Sequence, residues 1–191
     1  MDIPGLYYIE NYLSSEEQTK ILKNIYESIK LINIGSKSSR RVAHFGYEYS
    51  YNGSGIKKID AIPDFYTNLI DNAKINKIIK TKILKDKMEQ LIINEYLPGQ
   101  GISQHIDHVK FFGPIIICLT IGSGCEIEFI NKFTKTKKSL YVAPGSLYIM
   151  TGDSRYNWTH SIPFKNQDNG IARKIRYSLT FRTIIKKTTE Y

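Results

Sequence analysis

The N-terminal part of the chain carries apolar residues at the spacing of an amphipathic helix. Ser14 and Glu17 have the pattern of a capping box, and Ile21, Ile25 and Ile29 follow at intervals of four. In a capping box, the two side chains bind backbone N–H groups that the first helical turn leaves without partners. The pattern therefore predicts a helix that begins at Ser14 and packs its apolar side against the rest of the fold.

A second helix is predicted from Pro63, because proline is favoured in the first helical turn. Phe65, Leu69 and Ile70 follow on one side of it and leave a polar opposite face. The pattern does not indicate where this helix ends.

From about Leu91 the pattern changes to short apolar or alternating runs, which is typical of β-strands. Turn sequences such as PGQG, GSG and TGD separate the runs. The runs read LIINEYL, ISQHID, PIIICLTI, CEIEFI, SLYVA, SLYIM, WTHSI and IRYSLTFRTII. Many short strands at regular spacing favour a sandwich, barrel or jelly roll. We therefore expect a mainly β fold with flanking α elements, a double-sheet jelly roll with the N-terminal helices packed outside.

The composition is that of an ordinary globular chain. Its 191 residues are enough for one domain, and 41% of them are hydrophobic and 24% charged. No apolar run reaches the roughly 18 residues of a membrane span, and the start has no signal-peptide pattern. The two cysteines, Cys118 and Cys125, lie in strand-like runs, so no disulfide framework is expected. We expect a cytoplasmic or nuclear protein that is not secreted and has no membrane partner.

The net charge of +9 comes from 27 Lys and Arg against 18 Asp and Glu, and it favours a polyanionic partner such as nucleic acid. Lysines scattered over a solvated surface would give the same charge. Two clusters stand out: the polar stretch 132–138 holds four lysines, and Arg40 and Arg41 lead into the aromatic segment HFGYEYSY. Basic and aromatic groups together suit nucleotide binding.

Candidate metal ligands lie in the segment ISQHIDH. On a strand His105 and Asp107 share a face, whereas His108 points to the other. A His and a carboxylate on one face supply two ligands of a two-His-one-carboxylate site, which leaves three positions open on Fe(II). His160 is the natural third ligand, and His44 is the alternative. Such a His-x-Asp pair also occurs by chance, so it needs support from elsewhere in the chain.

The C-terminal run supplies that support. In the segment 176–182, Arg176 and Arg182 fall on one face and apolar residues on the other. The arginine face could be solvated, as on many antiparallel strands, but two guanidinium groups also suit a small dicarboxylate held at both ends. Asn94 and Tyr96, which share a face of an earlier run, could donate hydrogen bonds to the same ligand.

These residues, in this order, resemble the AlkB family of Fe(II)/2-oxoglutarate dioxygenases. The matching pattern is Asn94-x-Tyr96, His105-x-Asp107, SRY followed by His160, and Arg176 with Arg182 six residues on. The resemblance runs from about Pro4 to Arg182. It implies a double-stranded β-helix with N-terminal helices and a nucleotide-recognition lid. We expect one such domain over residues 1–191, with the helices and lid in 1–90 and the β core in 91–185.

The resemblance also implies cofactors and their ligands. Fe(II) would be bound by His105, Asp107 and His160. The cosubstrate 2-oxoglutarate would be bound by Asn94, Tyr96, Arg176 and Arg182. With O2, such enzymes convert 2-oxoglutarate to succinate and carbon dioxide and hydroxylate a C–H bond of the substrate. Hydroxylation of an N-methyl group releases formaldehyde, whereas hydroxylation of another side chain leaves the hydroxyl in place.

For the substrate, RRVAHFGYEYSY resembles the lid of the tRNA-modifying branch, whose animal member hydroxylates a side chain of the wobble uridine. Repair members usually place an acidic residue directly after the iron-binding Asp, and here that residue is His108. We expect substrate contacts from Arg41, Phe45, Tyr47, His108 and Arg155. Two alternatives remain open: Phe45, Tyr47 and Tyr49 could form the core-facing side of one strand, and His108 could be a surface or hinge residue.

Three functions follow from this reading. The first is hydroxylation of a modified uridine in tRNA, and the second is oxidative demethylation of N-alkylated RNA or DNA. The third is a catalytically silent nucleic-acid-binding module, which the complete set of metal and cosubstrate residues disfavours. Outside these three, a protein hydroxylase is a further, less favoured alternative. The animal tRNA enzyme also carries an RNA-recognition module and a methyltransferase domain, for which 191 residues leave no room. We therefore expect a basic surface to bind RNA phosphates and a separate tRNA methyltransferase to act as a partner.

Overall fold

Two facing antiparallel sheets form the body of the fold. The computed structural model describes residues 2–35, 39–50 and 55–185. Within these residues the larger sheet has seven strands in the order β1 (Leu6–Ile9), β11 (Leu147–Met150), β8 (Phe112–Gly122), β15 (Arg176–Ile184), β6 (Gln90–Tyr96), β3 (Arg41–Phe45) and β2 (Ile32–Asn33). The smaller sheet has four, in the order β10 (Lys137–Val142), β9 (Cys125–Asn131), β12 (Trp158–Ile162) and β7 (Ile102–His105). The predicted mainly β jelly roll is confirmed.

Two short ribbons complete the strands. They are β4 (Tyr47–Ser50) with β5 (Gly55–Lys58), and β13 (Gln167–Asp168) with β14 (Ile171–Ala172). The larger sheet also takes β1, β2 and β3 from residues 1–90, which were expected to hold helices and a lid. The N-terminal part of the chain therefore contributes to the main sheet as well as to the helical layer.

The larger sheet is buried on both faces, which explains why β8 reads as a continuous apolar run. On one face, Leu91, Ile93 and Leu179 belong to the core that also contains Ile21 and Ile25. On the other face, a second core lies between the two sheets. Its buried members include Ile116, Cys118, Ile127, Phe129, Val142 and Trp158. Helices thus cover the outer face of the sheet, and the inner face is left for the site.

The first predicted helix is confirmed. α1 spans Ser15–Ser28, and Ser14 and Glu17 form the reciprocal capping box. Each satisfies a backbone N–H of the other, at 3.2 Å and 2.7 Å. Because the cap fixes the start of α1, Ile21 and Ile25 face the sheet and are almost fully buried.

The second predicted helix begins where expected but is much shorter than its apolar pattern. α2 spans Asp64–Thr67 after Pro63, and Leu69 and Ile70 lie beyond it, partly buried against the core. Asp71 ends the helical pattern, because its side chain accepts from the N–H of Lys74 and so starts α3 (Asn72–Ile78). A fourth helix, α4, spans Gly152–Tyr156. No helix in the described parts of the chain is long and apolar enough to span a membrane.

The proposed lid segment is divided at Gly46. This residue has φ +76° and a hydrogen-bonded contact with Asp60, and it separates β3 from β4. The alternation of Phe45, Tyr47 and Tyr49 therefore does not describe one strand face, because Phe45 belongs to the larger sheet and the two tyrosines to a ribbon. Tyr51, the last residue of that segment, lies outside the described residues.

The close packing around Gly46 predicts that a substitution there destabilises the fold more than the same substitution at Gly170. A Cβ at Gly46 would overlap the backbone carbonyl of Glu89, whereas one at Gly170, with φ +80°, would meet nothing within 4 Å. We expect Gly46→Ala to lower the free energy of unfolding by about 3 kcal/mol, from left-handed strain and overpacking together. Gly170→Ala should cost roughly 1 kcal/mol from strain alone. Urea unfolding measures both, and equal losses would contradict the assignment of the overlap.

Candidate metal and dicarboxylate site

Strand pairing brings the two candidate metal-binding histidines together. β12 is antiparallel to β7, and His160 lies directly opposite His105 in their register. The centroids of the two imidazole rings are 4.3 Å apart. Asp107 lies two residues beyond the end of β7, and one ligand atom from each of the three residues lies within 4.8 Å of the others. The predicted His, Asp and His set therefore converges on one point.

Burial and neighbouring charges keep His160 and Asp107 in the protonation states that bind metal. Burial, with the adjacent His105, lowers the pKa of His160 to about 3, so its imidazole is neutral at pH 7. Burial alone would raise the pKa of Asp107, but Arg182 and the two imidazoles lower it to about 2. Neutral imidazole and ionised carboxylate are the forms that bind a divalent ion. The donor set fits Fe(II) with open positions for further ligands.

The site opens into a cavity of about 720 Å³ between the two sheets. Its walls include Asn94, Ser178 and Arg182 from the larger sheet and His105, Ile127 and His160 from the smaller. Among the described residues that line it, Asp107 is the one carboxylate. Two lining arginines, Arg40 and Arg182, leave the cavity with positive charge in excess. An anionic ligand therefore matches it electrostatically.

Arg176 lies just behind the cavity wall with much of its hydrogen-bonding capacity unused. Its side chain is buried, and Nη2 donates to Thr120 Oγ1 at 3.0 Å. Its Nε and Nη1 have no hydrogen-bond partner within the described part of the chain. The guanidinium lies 5.6 Å from the centroid of the Tyr96 ring, which faces the cavity. A buried cation with unused donors is suited to bind an anion.

Arg182 contacts one of the candidate metal ligands and also lines the cavity. It forms an ion pair with Asp107, and its Nη1 donates to Gln90 Oε1 at 2.8 Å. Its Nε has no hydrogen-bond partner among the residues described. The two arginines thus offer unused donors on the same strand face, as the alternation of the segment 176–182 predicts. Asn94 also lines the cavity, and its Oδ1 accepts from Arg40 Nε at 3.1 Å.

Arg155 has a different position from the one expected. It was predicted to line the substrate pocket, but its buried guanidinium donates to three backbone carbonyls behind the metal ligands. These are the carbonyls of Asp107, Phe112 and Gly113, at 2.9, 3.2 and 3.2 Å. The side chain therefore fixes the loop that follows β7 and with it the position of Asp107.

Three other predicted substrate residues also lie away from the described cavity lining. Arg41 points to the outer face of the sheet, where it forms two 2.7 Å hydrogen bonds with the carboxylate of Glu95. Phe45 stacks on Tyr66, with ring centroids 6.3 Å apart. Tyr47 lies in the β4–β5 ribbon, and its carbonyl accepts from Gln90. Successive side chains point to opposite faces of a sheet, so Arg41 points outward, and its neighbour Arg40, just before β3, reaches the cavity.

His108 does line the cavity, within a group of aromatic side chains. Its ring stacks on Phe111 with centroids 4.2 Å apart, and Tyr49 lies 6.2 Å away. Sequence reasoning assigned no substrate contact to several other lining residues, although it weighed His44 as an alternative metal ligand: Arg40, His44, Tyr49, Tyr148 and Phe164. The alternation of β3 gives a signal for His44, because it shares parity with Val42, which pairs with Asn94. Arg40 and Phe164 lie outside the strands, where parity gives no guide.

Comparisons with known proteins agree with this site. The family model of the 2OG-Fe(II) oxygenase superfamily matches residues 5–182. Uncharacterized protein L905 of Acanthamoeba polyphaga mimivirus is 36% identical over 197 residues, covering 100% of this chain and 90% of that protein. The tRNA (carboxymethyluridine(34)-5-O)-methyltransferase ALKBH8 of Macaca fascicularis is 35% identical over 168 residues, covering 86% of this chain and 25% of its own length. The chain thus spans about a quarter of that relative.

A solved structure shares the fold. The structure of OsALKBH1 matches with a TM-score of 0.73 at 16% identity, over 96% of this chain and 100% of that one. At this identity the likeness concerns the fold alone.

The site predicts that metal binding depends on the converging residues and not on every histidine in the cavity. His160→Ala removes one of the three ligand atoms, so Fe(II) affinity should fall by more than the roughly 10- to 100-fold that losing an outer partner costs. His44→Ala is the matched control, since His44 lines the same cavity outside the His105, Asp107 and His160 cluster. Titration calorimetry under nitrogen measures both affinities. Equal losses would contradict the assignment.

Proposed function

Because the chain belongs to the 2OG-Fe(II) oxygenase superfamily and, within it, to the AlkB family, we propose that it hydroxylates a modified base in nucleic acid, most specifically a wobble uridine side chain in tRNA. The reaction class rests on one observation. A cluster of two partly buried His and one buried Asp lies in the same cavity as Arg182, whose Nε is unused, and Arg176 lies behind its wall with two unused nitrogens.

His105, Asp107 and His160 would hold Fe(II). When bound, Fe(II) with 2-oxoglutarate and O2 supplies the oxidising power that hydroxylates a C–H bond, while 2-oxoglutarate leaves as succinate and carbon dioxide. The protein's part is to bind and orient the reactants and to restrict access of water. The apolar lining, which includes Ile92, Ile127 and Phe112, serves that restriction.

Arg176 and Arg182 would bind the two carboxylates of 2-oxoglutarate. The unused Nε and Nη1 of Arg176 leave donors for the carboxylate farther from the metal, and hydrogen bonds between a guanidinium and a carboxylate are stronger than those between neutral groups. Arg182 would bind near the metal, where it already pairs with Asp107. Asn94 and Tyr96 complete the wall between them. This division follows the order of the two arginines along β15.

The substrate assignment rests on likeness and charge. The printed name of the ALKBH8 relative refers to position 34 of tRNA and to a methyltransferase, and this chain spans about a quarter of it. Phosphate binding by a chain of net charge +9 would be independent of sequence and sensitive to salt. The methyl ester of the uridine would come from a separate methyltransferase. Demethylation of N-alkylated RNA or DNA uses the same site and is the alternative outcome.

Replacing Arg176 should weaken ligand binding but should not lower the stability of the ligand-free protein. Arg176→Met should weaken binding of 2-oxoglutarate at least about tenfold, because the charged hydrogen bonds to one carboxylate are lost. Without 2-oxoglutarate the variant should unfold at the same or a higher temperature, since an unpaired buried charge has been removed. Calorimetry and thermal unfolding measure these, with exposed Lys174→Met as control. Unchanged affinity would contradict the carboxylate role.

The reaction itself is tested by mass spectrometry of nucleosides. The protein is incubated with Fe(II), 2-oxoglutarate and ascorbate, and with either tRNA bearing the wobble methyl ester or N-methylated single-stranded DNA and RNA. We expect one oxygen to be added to the uridine, and Asp107→Ala to abolish it because a metal ligand is lost. Loss of methyl with release of formaldehyde would instead identify a demethylase. Activity retained by Asp107→Ala would exclude the proposed metal site.

A further inference from the structure

A large apolar side chain stands at the rim of the cavity without being packed into the fold. Phe164 follows β12 by two residues, lines the cavity, and is 67% exposed. Single exposed apolar residues are common on protein surfaces and by themselves indicate nothing. Phe164 differs because it borders the opening of the proposed active site and because its backbone is firmly held.

The loop that carries Phe164 is fixed by a buried ion pair. The guanidinium of Arg173 binds both carboxylate oxygens of Asp168, at 2.6 and 2.8 Å, and donates to the carbonyl of Pro163 at 2.8 Å. Both charged side chains are at most 5% exposed. The carbonyl of Lys165 also accepts from the N–H of Gly99, at 3.2 Å, on the opposite loop. Phe164 is therefore anchored on both sides while its ring stays in solvent.

The charged neighbour of Phe164 is already engaged. The ammonium of Lys165 lies 3.1 Å from Glu126 and 3.7 Å from Asp168. The loop thus presents an aromatic ring at the rim, while its adjacent cation is tied to the protein. Such a surface favours a flat, apolar group over a phosphate, and the flat groups of a nucleic acid are its bases.

Strand direction separates Phe164 from the other aromatic group at the cavity. Because β7 and β12 are antiparallel, His108 after β7 and Phe164 after β12 lie at opposite ends of this strand pair, with His160 between them. Phe164 lies four positions after His160, at most about 13 Å along extended chain. A base that reaches the metal therefore leaves a neighbouring nucleotide near this rim.

We propose that Phe164 stacks on the base next to the target nucleotide and so holds the strand while the target base enters the cavity. The inference rests on the proposed function, since it requires a single-stranded nucleic-acid substrate. Stacking on an aromatic ring tolerates any base and adds affinity for each base stacked. Because the loop is held in advance, little ordering is needed on binding.

The test measures RNA binding without turnover. The probe is a fluorescein-labelled anticodon stem-loop RNA, titrated with the protein, Fe(II) and 2-oxoglutarate under nitrogen and followed by anisotropy. We expect Phe164→Ala to bind about tenfold more weakly and Phe164→Tyr to bind as the wild type does. Phe133→Ala is the matched control: Phe133 is 73% exposed at the tip of the β9–β10 hairpin, away from the described cavity lining.

A second arm removes the base that Phe164 would contact. The same RNA is made with an abasic site on either side of the wobble position. The wild type should lose about tenfold in affinity at one of the two sites, and Phe164→Ala should lose little further. If Phe164→Ala binds like the wild type or like Phe133→Ala, or if both proteins lose equally at each abasic site, the inference is overturned.

A third arm separates this inference from the substrate assignment. If the wild type binds and oxidises the uridine RNA while Phe164→Ala matches it, only the stacking inference fails. If the wild type ignores that RNA but binds methylated single-stranded DNA, and Phe164→Ala weakens that binding, stacking stands and the tRNA assignment fails. Absence of wild-type binding to either nucleic acid overturns both.

Discussion

Strand β15 is hydrogen-bonded along both edges, to β8 and to β6, and this double pairing decides which side chains meet in the cavity. Its register sets Arg176 opposite Tyr96 and Ser178 opposite Asn94. The intervening residues, among them Phe181, join the core on the helical face. A slip of one residue would turn the arginines into that apolar core and the apolar residues into the cavity. The packing of the helical layer against the larger sheet therefore also fixes the chemistry of the site.

Three buried or nearly buried arginines lie beside the metal ligands or behind the cavity wall, and the protein satisfies the hydrogen-bonding groups of each to a different degree. Arg155 donates to three backbone carbonyls, and Arg182 pairs with Asp107. Arg176 has a hydroxyl partner for one nitrogen only, within the described residues. An unpaired interior charge such as Arg176 costs several kcal/mol of stability. An anionic ligand that pairs with it would offset this cost. A dicarboxylate would offer the negative charge, so the proposed binding of 2-oxoglutarate and the predicted effect of Arg176→Met on stability have the same physical origin.

The sequence predicted the parts of the site that depend on strand parity and missed the parts that depend on turns. The shared face of Arg176 and Arg182 follows from a period of two along one uninterrupted strand. Phe45 and Tyr47 were misplaced because Gly46, with its positive φ, ends one strand and starts a ribbon. A glycine in the pattern does not reveal which turn it makes. Similarly, the predicted second helix was too long, because its apolar spacing continues past the point where the helix ends.

The reaction class and the choice of substrate depend on different parts of the site, the first on strands and the second on the residues between them. Residues of the inner wall, such as His105 and His160, are set by strand register, so they carry the reaction class. Residues of the rim, such as Arg40, His108 and Phe164, lie outside the strands, so strand register does not determine their positions. Because Arg173 and Asp168, and not the candidate metal ligands, hold the loop of Phe164, this part of the rim can change without disturbing the inner wall. The family match over residues 5–182 therefore identifies an oxygenase, whereas the choice of substrate has to be argued from the rim.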